Sequence, residues 1–274
     1  MAKIQTYSFI IDLTDTRNKY LFESLQETGK EVFAYAAGGW LREASDKKVF
    51  LFAPTTIIDD EIFATIPSYS IVFCTSASSD LKLKFKQKRV ELHFYFDDEE
   101  LAVSNAYLTA EGALAEIIRV MSRILPDLRV AVLGFGRVGR AMSRILLRNG
   151  SEVCIVSREQ SERVAASNFY RCVFDFESFK PHLAEFDVIV NTVPSVVLGV
   201  DELQRVKKDC FILDLASKPY GVDFEAVKDL DVNAVLLSGI PGKTAPQTAA
   251  DLIKTSVFKT LNIKETKVVQ KSKN

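Results

Sequence analysis

Three glycines, Gly134, Gly136 and Gly139, stand at GxGxxG spacing in the stretch LGFGRVGRAM. The run RVAVL before them has the apolar character of a buried strand. The run after them sets Val138, Ala141, Met142, Ile145 and Leu146 at helical spacing. A strand, turn and helix of this kind can hold a pyrophosphate. The first glycine permits a tight turn, the second lets backbone approach the phosphates, and the third lets helix and strand pack closely. The helix N-terminus adds N–H groups and the positive end of its dipole. Gly134, Phe135, Gly136, Arg137, Val138 and Gly139 are therefore the expected dinucleotide turn, and Gly150 is placed to stop the helix. A glycine turn that holds no ligand has the same spacing; the flanking strand and helix favour the binding reading.

The next strand, EVCIVSRE, bears on which dinucleotide is held. A site for NAD ends this strand in Asp or Glu, which bonds the ribose 2′-hydroxyl, roughly 20 residues after the glycines. Here the place holds Ser157 and Arg158, with Glu159 following and expected to point away. A carboxylate would repel a 2′-phosphate, whereas a hydroxyl and a guanidinium would bind it through charge-assisted bonds. The expected cofactor is NADP. An ordinary solvated turn of Ser-Arg-Glu is the alternative.

Strand and helix patterns alternate along the whole chain, which predicts an α/β protein with parallel sheets. The first half gives strand SFIIDL, a helix from Arg17 to about Thr28, strands EVFAYA and KVFLFAP, a short helix near DDEIFATI, and strands SIVFCT and VELHFYF. A long helix is expected from about Thr109 to Leu125, with Leu114, Ile117, Ile118, Met121 and Leu125 on its apolar face and Pro126 as its stop. After the glycine turn come strands at 153–156 and near 171–175, a helix near 177–185 and strand DVIVNT. A helix near 201–208, strand FILDLA, a helix near 223–229, strand NAVLLS and a helix from about Thr248 to Leu261 complete the pattern. The expected organisation has two domains: a smaller N-terminal α/β domain of flavodoxin-like type on the substrate side (1–108), and a C-terminal Rossmann dinucleotide-binding domain (127–247). Helix 109–126 connects them, and the last helix with a frayed polar tail (248–274) can cross back to the first domain.

Composition narrows the class. With 274 residues and 47% hydrophobic ones the chain can bury a sizeable core, and its net charge of -1 gives no basic excess for nucleic acid or an anionic membrane. No apolar run reaches the ~20 residues of a membrane span, and the N-terminus lacks the pattern of a signal peptide. Cys74, Cys154, Cys172 and Cys210 form no CxxC and are expected to be buried free thiols rather than metal ligands or disulfides. A cytoplasmic protein without a metal site is expected.

Ligands of open α/β sheets bind beyond the carboxyl ends of the strands. Three segments should end there: NTVPS with Thr192, Val193 and Pro194, DLASKP with Leu215, Ala216 and Ser217, and SGIPGKTAPQTA with Gly239, Pro241 and Lys243. Each alone is ordinary turn chemistry; their common position beside one cofactor turn favours a site. Together with NAYLTAEGA and VAVLGFGRVG, in that order, NTVPS, ILDLASKPYGVDF and GIPGKTAPQTA resemble the dipicolinate synthase A family over about residues 90 to 260. The first domain resembles it more loosely. Asp15 and Arg17 are kept, but Leu13 and Thr14 stand where the family has glycines, and Gln247 where it tends to have a basic residue.

The resemblance implies a sporulation enzyme subunit that oxidises a dihydrodipicolinate-type precursor to pyridine-2,6-dicarboxylate. NADP would be the hydride acceptor and a second, flavoprotein-like subunit the partner. The fold it implies is similar to the 2-hydroxyacid and shikimate dehydrogenases. A homo-oligomer is expected. A small dicarboxylate needs cations or helix N-termini to hold it, and Arg17, Lys243 and the start of the 109–125 helix are the candidates. Thr109 also suits plain helix capping; Asn105 and Thr109 rest mainly on the resemblance. No catalytic residue is assigned. A 2-hydroxyacid dehydrogenase needs a histidine base, and the two histidines, His93 and His182, lie outside the crevice segments and are expected to be structural. Aromatisation supplies much of the driving force for ring oxidation, so positioning could supply most of the catalysis. The alternatives are a shikimate dehydrogenase-like reductase and a non-catalytic NADP-binding scaffold.

Overall fold

The structure is a computed structural model and describes residues 6–37 and 47–264. It holds two parallel sheets, each in its own compact unit. The first unit runs through Ser104 and takes up the chain again from Pro241; the second is Asn105–Ile240.

The first sheet contains β1 (Tyr7–Ile11), β2 (Glu31–Ala34), β3 (Lys47–Leu51), β4 (Ile71–Cys74) and β5 (Glu91–Phe94) in the order β2-β1-β3-β4-β5. All its pairings are parallel. This is the flavodoxin-like order, whose switch point lies between β1 and β3. Helices α1 (Thr16–Gln26), α2 (Asp60–Thr65) and α3 (Ser79–Gln87) connect its strands. A long helix, α4 (Glu99–Val120), follows β5.

The second sheet contains β6 (Arg129–Leu133), β7 (Glu152–Val156), β8 (Cys172–Phe174), β9 (Val188–Asn191), β10 (Phe211–Asp214) and β11 (Ala234–Leu236). Its order is β11-β10-β9-β6-β7-β8, all parallel, which is the doubly wound dinucleotide-binding order. Its helices are α5 (Arg137–Arg148), α6 (Gln160–Ser167), α7 (Phe176–Phe179), α8 (Val200–Leu203) and α9 (Phe224–Asp229). Two further helices, α10 (Ile240–Thr244) and α11 (Pro246–Thr260), follow β11. The fold is thus α/β, with a Rossmann-type unit and a second α/β unit.

Burial explains the elements. Val130, Ala131, Val132 and Leu133 of β6 are fully buried, as both faces of a parallel strand covered by helices must be. Met142 and Leu146 of α5 pack on this sheet, and Gly150, at φ +89, ends the helix in the left-handed conformation that glycine permits. Ala250, Ile253, Val257 and Phe258 of α11 join Phe9, Leu21 and Leu25 in the core of the first unit. The last helix therefore packs in the unit formed by the first residues. The tail after Lys264 lies outside the described residues.

Some expectations change. The long helix starts at Glu99 rather than near Thr109 and stops at Val120, and Pro126 lies in a later 3-10 turn, Leu125–Asp127. Glu99 and Glu100 in the first turn suit the positive end of the dipole, a signal present in the sequence. Thr109 sits inside the helix, its hydroxyl donating to the Asn105 carbonyl at 2.9 Å, so it caps nothing. Helices α3 and α6 were not assigned from the sequence.

Cys154 and Cys172, expected free, are bonded to each other. They are directly paired residues of β7 and β8, with Cα atoms 4.5 Å apart, a separation a disulfide can span. The bonded pair removes the support that four free thiols would lend to a reducing compartment. Cys74 and Cys210 are free and buried, and burial pushes both thiols up to about 12. Among the described residues no helix is long and apolar enough to cross a membrane.

One buried charge ties the amino edge of the second sheet together. The Asp187 carboxylate accepts the Arg129 N–H at 2.7 Å and pairs with Arg123 and Lys207. Burial alone would raise its pKa, but the Arg129 N–H, the Lys207 ammonium and the Arg123 guanidinium outweigh this and lower it. A carboxyl whose folded pKa is depressed adds stability that is present above its unfolded value, about 3.9. That stability is lost as pH falls through the folded value. Asp187→Asn is therefore expected to lower stability near neutral pH and to shrink the loss of stability below about pH 4. Urea midpoints across pH for both proteins test this; parallel acid limbs would refute it.

Candidate functional site

At the end of β6, Gly134 has φ +93, and its N–H donates to the Val156 carbonyl of β7 at 2.7 Å. A Cβ on Gly134 would fall 2.5 Å from the Thr192 hydroxyl, and one on Gly139 would collide with the Gly134 carbonyl. These two glycines are required by close packing. Gly136 differs: nothing lies within 4 Å of where its Cβ would be. It is the N-cap of α5 and, as a glycine, brings no side chain of its own to the first turn. The turn thus leaves open space directly over a helix N-terminus, which fits a pyrophosphate. Phe135 is buried in an edge contact with Tyr170, and the Arg140 guanidinium donates to the Phe135 carbonyl at 2.8 Å, bracing the turn from below.

The turn after β7 is more populated than its sequence suggests. Ser157 is 2% exposed, and its hydroxyl donates to Glu162 at 2.5 Å and accepts from the Glu159 N–H. Arg163 donates to the carbonyls of Ser157 and Arg158 at 2.8 and 2.6 Å. Arg158 reaches into solvent, with 85% of its side chain exposed, near Glu159. Glu162 and Arg163 both lie on α6, so a reading that lacked that helix could not place them. Two guanidinium groups face this turn with two carboxylates, Glu162 on the Ser157 hydroxyl and Glu159 paired with Arg158 at 3.2 Å.

On the other side of β6, the ends of β9 and β10 are locked together. The fully buried Asp214 carboxylate accepts from Asn191 Nδ2 at 2.8 Å and from the N–H groups of Ala216, Gly221 and Val222. Asn191 also donates from Nδ2 to the Val193 carbonyl and accepts the Val193 N–H at Oδ1, both at 3.1 Å. Thr192 donates to the Leu133 carbonyl at 2.8 Å. Thr192, Val193, Pro194, Leu215, Ala216 and Ser217 therefore stand on segments fixed relative to the glycine turn. Asn191 and Asp214, which do the fixing, were not singled out from the sequence; a polar residue ending each of two apolar strands was the available signal.

In the first unit, Arg17 is 3% exposed and its guanidinium is held by Asp15 through two bonds, at 2.9 and 2.6 Å. Burial would raise the Asp15 pKa, but the side-chain bond and charge of Arg17 outweigh it and lower it. The backbone of α10 closes over the pair: a Cβ on Gly242 would meet Asp15 at 2.8 Å and Arg17 at 2.9 Å. The structure places Arg17 and the Pro241–Lys243 segment side by side within the first unit, with Arg17 already engaged. Pro241 is buried and Lys243 is exposed. Asn105 and Thr109, on α4 beyond Ser104, and Gly239, at φ +63, belong to the second unit. The missing glycines after β1 have a substitute. The Asp12 carboxylate accepts the Thr14 N–H at 3.1 Å and the Thr14 hydroxyl at 3.0 Å, and also takes the Thr56 hydroxyl.

Neither histidine joins these groups. His93 stacks on Phe73 and bonds Glu91 at 2.9 Å, while His182 stacks on Phe174 and bonds Glu185 at 2.6 Å. A cavity of about 600 Å³ in the first unit, lined by Phe73, His93, Phe94, Asp97 and Lys259 among others, holds none of the expected site residues.

This glycine turn on a doubly wound sheet has the form of a dinucleotide site. Residues 105–221 match the family described as D-isomer specific 2-hydroxyacid dehydrogenase, NAD binding domain. The particular relative is the one the sequence motifs suggest. The chain is 28% identical over 195 residues to the A subunit of dipicolinate synthase from Bacillus subtilis (strain 168), a stretch that covers 71% of this chain and 66% of that protein. That is just under two thirds of the relative's length. The crystal structure of the same Bacillus subtilis protein shares the fold, with a TM-score of 0.81 at 22% identity over 95% of this chain and 97% of that one. A D-lactate dehydrogenase from Sporolactobacillus sp. shares it less closely, with a TM-score of 0.67 at 15% identity over 97% and 98%.

Proposed function

We propose that the protein is an NADP-dependent oxidoreductase subunit that forms pyridine-2,6-dicarboxylate from a dihydrodipicolinate-type precursor. The observation that carries this reading is the open space over Gly136 at the start of α5, with the guanidinium groups of Arg158 and Arg163 one strand away. Gly134 through Gly139 would hold the pyrophosphate, and Ser157 and Arg158 a ribose 2′-phosphate. Thr192, Val193, Pro194, Leu215, Ala216 and Ser217 would flank the nicotinamide half. When bound, NADP would accept the hydride; the ring also loses a proton and becomes aromatic. Arg17, Lys243, Pro241, Gly239, Asn105 and Thr109 remain the proposed substrate contacts. The same reading includes a flavoprotein-like partner subunit, a homo-oligomeric state and a cytoplasmic location.

Glu159 and Glu162 balance the two guanidinium groups in charge, but Arg158, with 85% of its side chain exposed, can exchange its Glu159 contact for a 2′-phosphate. Arg158→Ala is expected to weaken NADPH by about 1.5–3 kcal/mol, the worth of a hydrogen bond to a charged group, and to leave NADH almost unchanged. Glu162→Gln should move NADPH affinity the other way. Fluorescence titration of both cofactors tests this; equal affinity of the unaltered chain for NADPH and NADH would refute the NADP assignment.

A non-catalytic, cofactor-binding scaffold is the second reading, favoured by the engagement of Arg17 with Asp15. Turnover of the precursor by the purified chain with NADP separates the two. Product formed by this chain alone establishes the enzyme; cofactor binding without turnover, with or without a partner subunit, establishes the scaffold.

A further inference from the structure

The carboxyl edge of the second sheet divides its charges unevenly. On one side of the switch point, the loops after β6 and β7 lead into Arg137, Arg158 and Arg163, with Glu159 and Glu162 beside the last two. On the other side run the loops at 192–199, 215–223 and 237–240, which follow β9, β10 and β11. Those three stretches contain one cation, Lys218, and one carboxylate, Asp223, which is spent on the first-turn N–H groups of α9 at 3.1 Å.

Lys218 is mounted on a fixed turn. Asp214 pins both ends of the segment, through Ala216 on one side and Gly221 and Val222 on the other. Between them the Tyr220 N–H donates to the Ser217 carbonyl at 2.9 Å, closing a turn whose middle residues are Lys218 and Pro219. Gly221 presses the turn against the loop after β9, since a Cβ there would collide with the Asn191 amide and lie 2.6 Å from the Val193 carbonyl. Ser217, Lys218 and Pro219 are exposed at the tip, and no ion pair engages Lys218 among the described residues. Lys228, exposed in the same unit, is paired with Glu225 on its own helix, and Lys208, exposed without an ion pair among the described residues, precedes β10 at the opposite, amino edge of the sheet. A fully buried carboxylate thus spends its bonds on presenting one unpaired ammonium.

A dinucleotide lies across the switch point of such a sheet, one nucleotide half on each side. With the phosphates and the 2′-phosphate served by the arginine side, the nicotinamide half falls on the side that holds Lys218. We propose that Lys218 receives a carboxylate of the anionic substrate on the nicotinamide side of this unit. The inference rests on the reading above that the chain oxidises a heteroaromatic dicarboxylate precursor. Lys218 is then a point-charge anchor whose place is set by the turn rather than by its own flexible chain.

The test uses the full chain saturated with NADPH and titrated calorimetrically with pyridine-2,6-dicarboxylate. Lys218→Met keeps the length of the side chain and removes the charge. It is expected to weaken the dicarboxylate about tenfold or more, the lower end for a lost charged hydrogen bond. NADPH affinity, which also reports that the fold is intact, should not change. Lys218→Arg should restore most of the binding. Equal dicarboxylate affinity in the unaltered chain and Lys218→Met overturns the assignment of Lys218 alone. No dicarboxylate binding by the unaltered, NADPH-saturated chain overturns that assignment together with the substrate class on which it rests.

Discussion

Gly136→Val is expected to abolish NADPH binding while the protein stays folded. The two halves of this expectation rest on separate observations. Gly136 has φ -73 and ψ -161, extended backbone that any residue adopts, and nothing lies within 4 Å of an added Cβ. No contact at Cβ opposes the valine, and its poorer fit at an N-cap is a small cost beside the stability of the fold. The space it fills is where a pyrophosphate must come to reach the N–H groups at the start of α5. Losing two charge-assisted bonds at about 1.5–3 kcal/mol each removes about 3–6 kcal/mol, a hundredfold or more in affinity by the usual rule of about 1.4 kcal/mol per tenfold. Circular dichroism matching the parent and a urea midpoint close to it, with no response in a fluorescence titration, is the expected result. Unchanged NADPH affinity would remove the glycine turn from the site. Gly139→Val is the contrasting control. Its Cβ meets the Gly134 carbonyl, which is backbone and cannot swing aside, so that change should damage the fold itself.

The second unit was legible in the sequence to the extent that its chemistry is local. The GxGxxG turn, the strand before it and the helix after it each follow from residues adjacent in the chain, and the six-stranded order places them as expected. The turn after β7 was half legible. Ser157 and Arg158 were visible, but Glu162 and Arg163 come to it from α6, an eight-residue helix whose QSERVAAS sequence has little apolar periodicity. Helix α3 was hidden for another reason. Its DLKLKFKQ run alternates apolar and charged residues as a strand would, yet only Leu81 and Phe85, four apart, are buried, while Leu83 is 60% exposed. The flanking Ser78 cap and the paired Lys84 decide for the helix. The bonded Cys154 and Cys172 depend on the register of two strands 18 residues apart in sequence, which spacing cannot reveal. In the first unit, the glycine-free turn after β1 looked degenerate because the sequence does not show that the Asp12 side chain makes the bonds a glycine turn would leave to backbone.

Arg17→Met is expected to lower the stability of the chain by about 3–5 kcal/mol, because it strands a buried carboxylate. Both partners are nearly inaccessible, Arg17 at 3% and Asp15 at 9% side-chain exposure, and the Gly242 backbone closes over them. Asp15 has two tasks, since it pairs with the guanidinium and also accepts the Arg17 N–H as the N-cap of α1. Asparagine at position 15 keeps the cap and drops the charge. Asp15→Asn combined with Arg17→Met should therefore recover a large part of the lost stability, a coupling that a double-mutant cycle reads directly. The cycle also decides how Arg17 bears on the substrate. If the guanidinium serves the fold, pyridine-2,6-dicarboxylate affinity in the stabilised double variant stays near that of the parent once NADPH is saturating. If it clamps the substrate with its remaining donors, that affinity falls in the double variant as far as in Arg17→Met, although the fold has been repaired. A urea midpoint in Arg17→Met equal to the parent's would refute the buried-pair account, and any loss of dicarboxylate binding would then belong to the guanidinium itself.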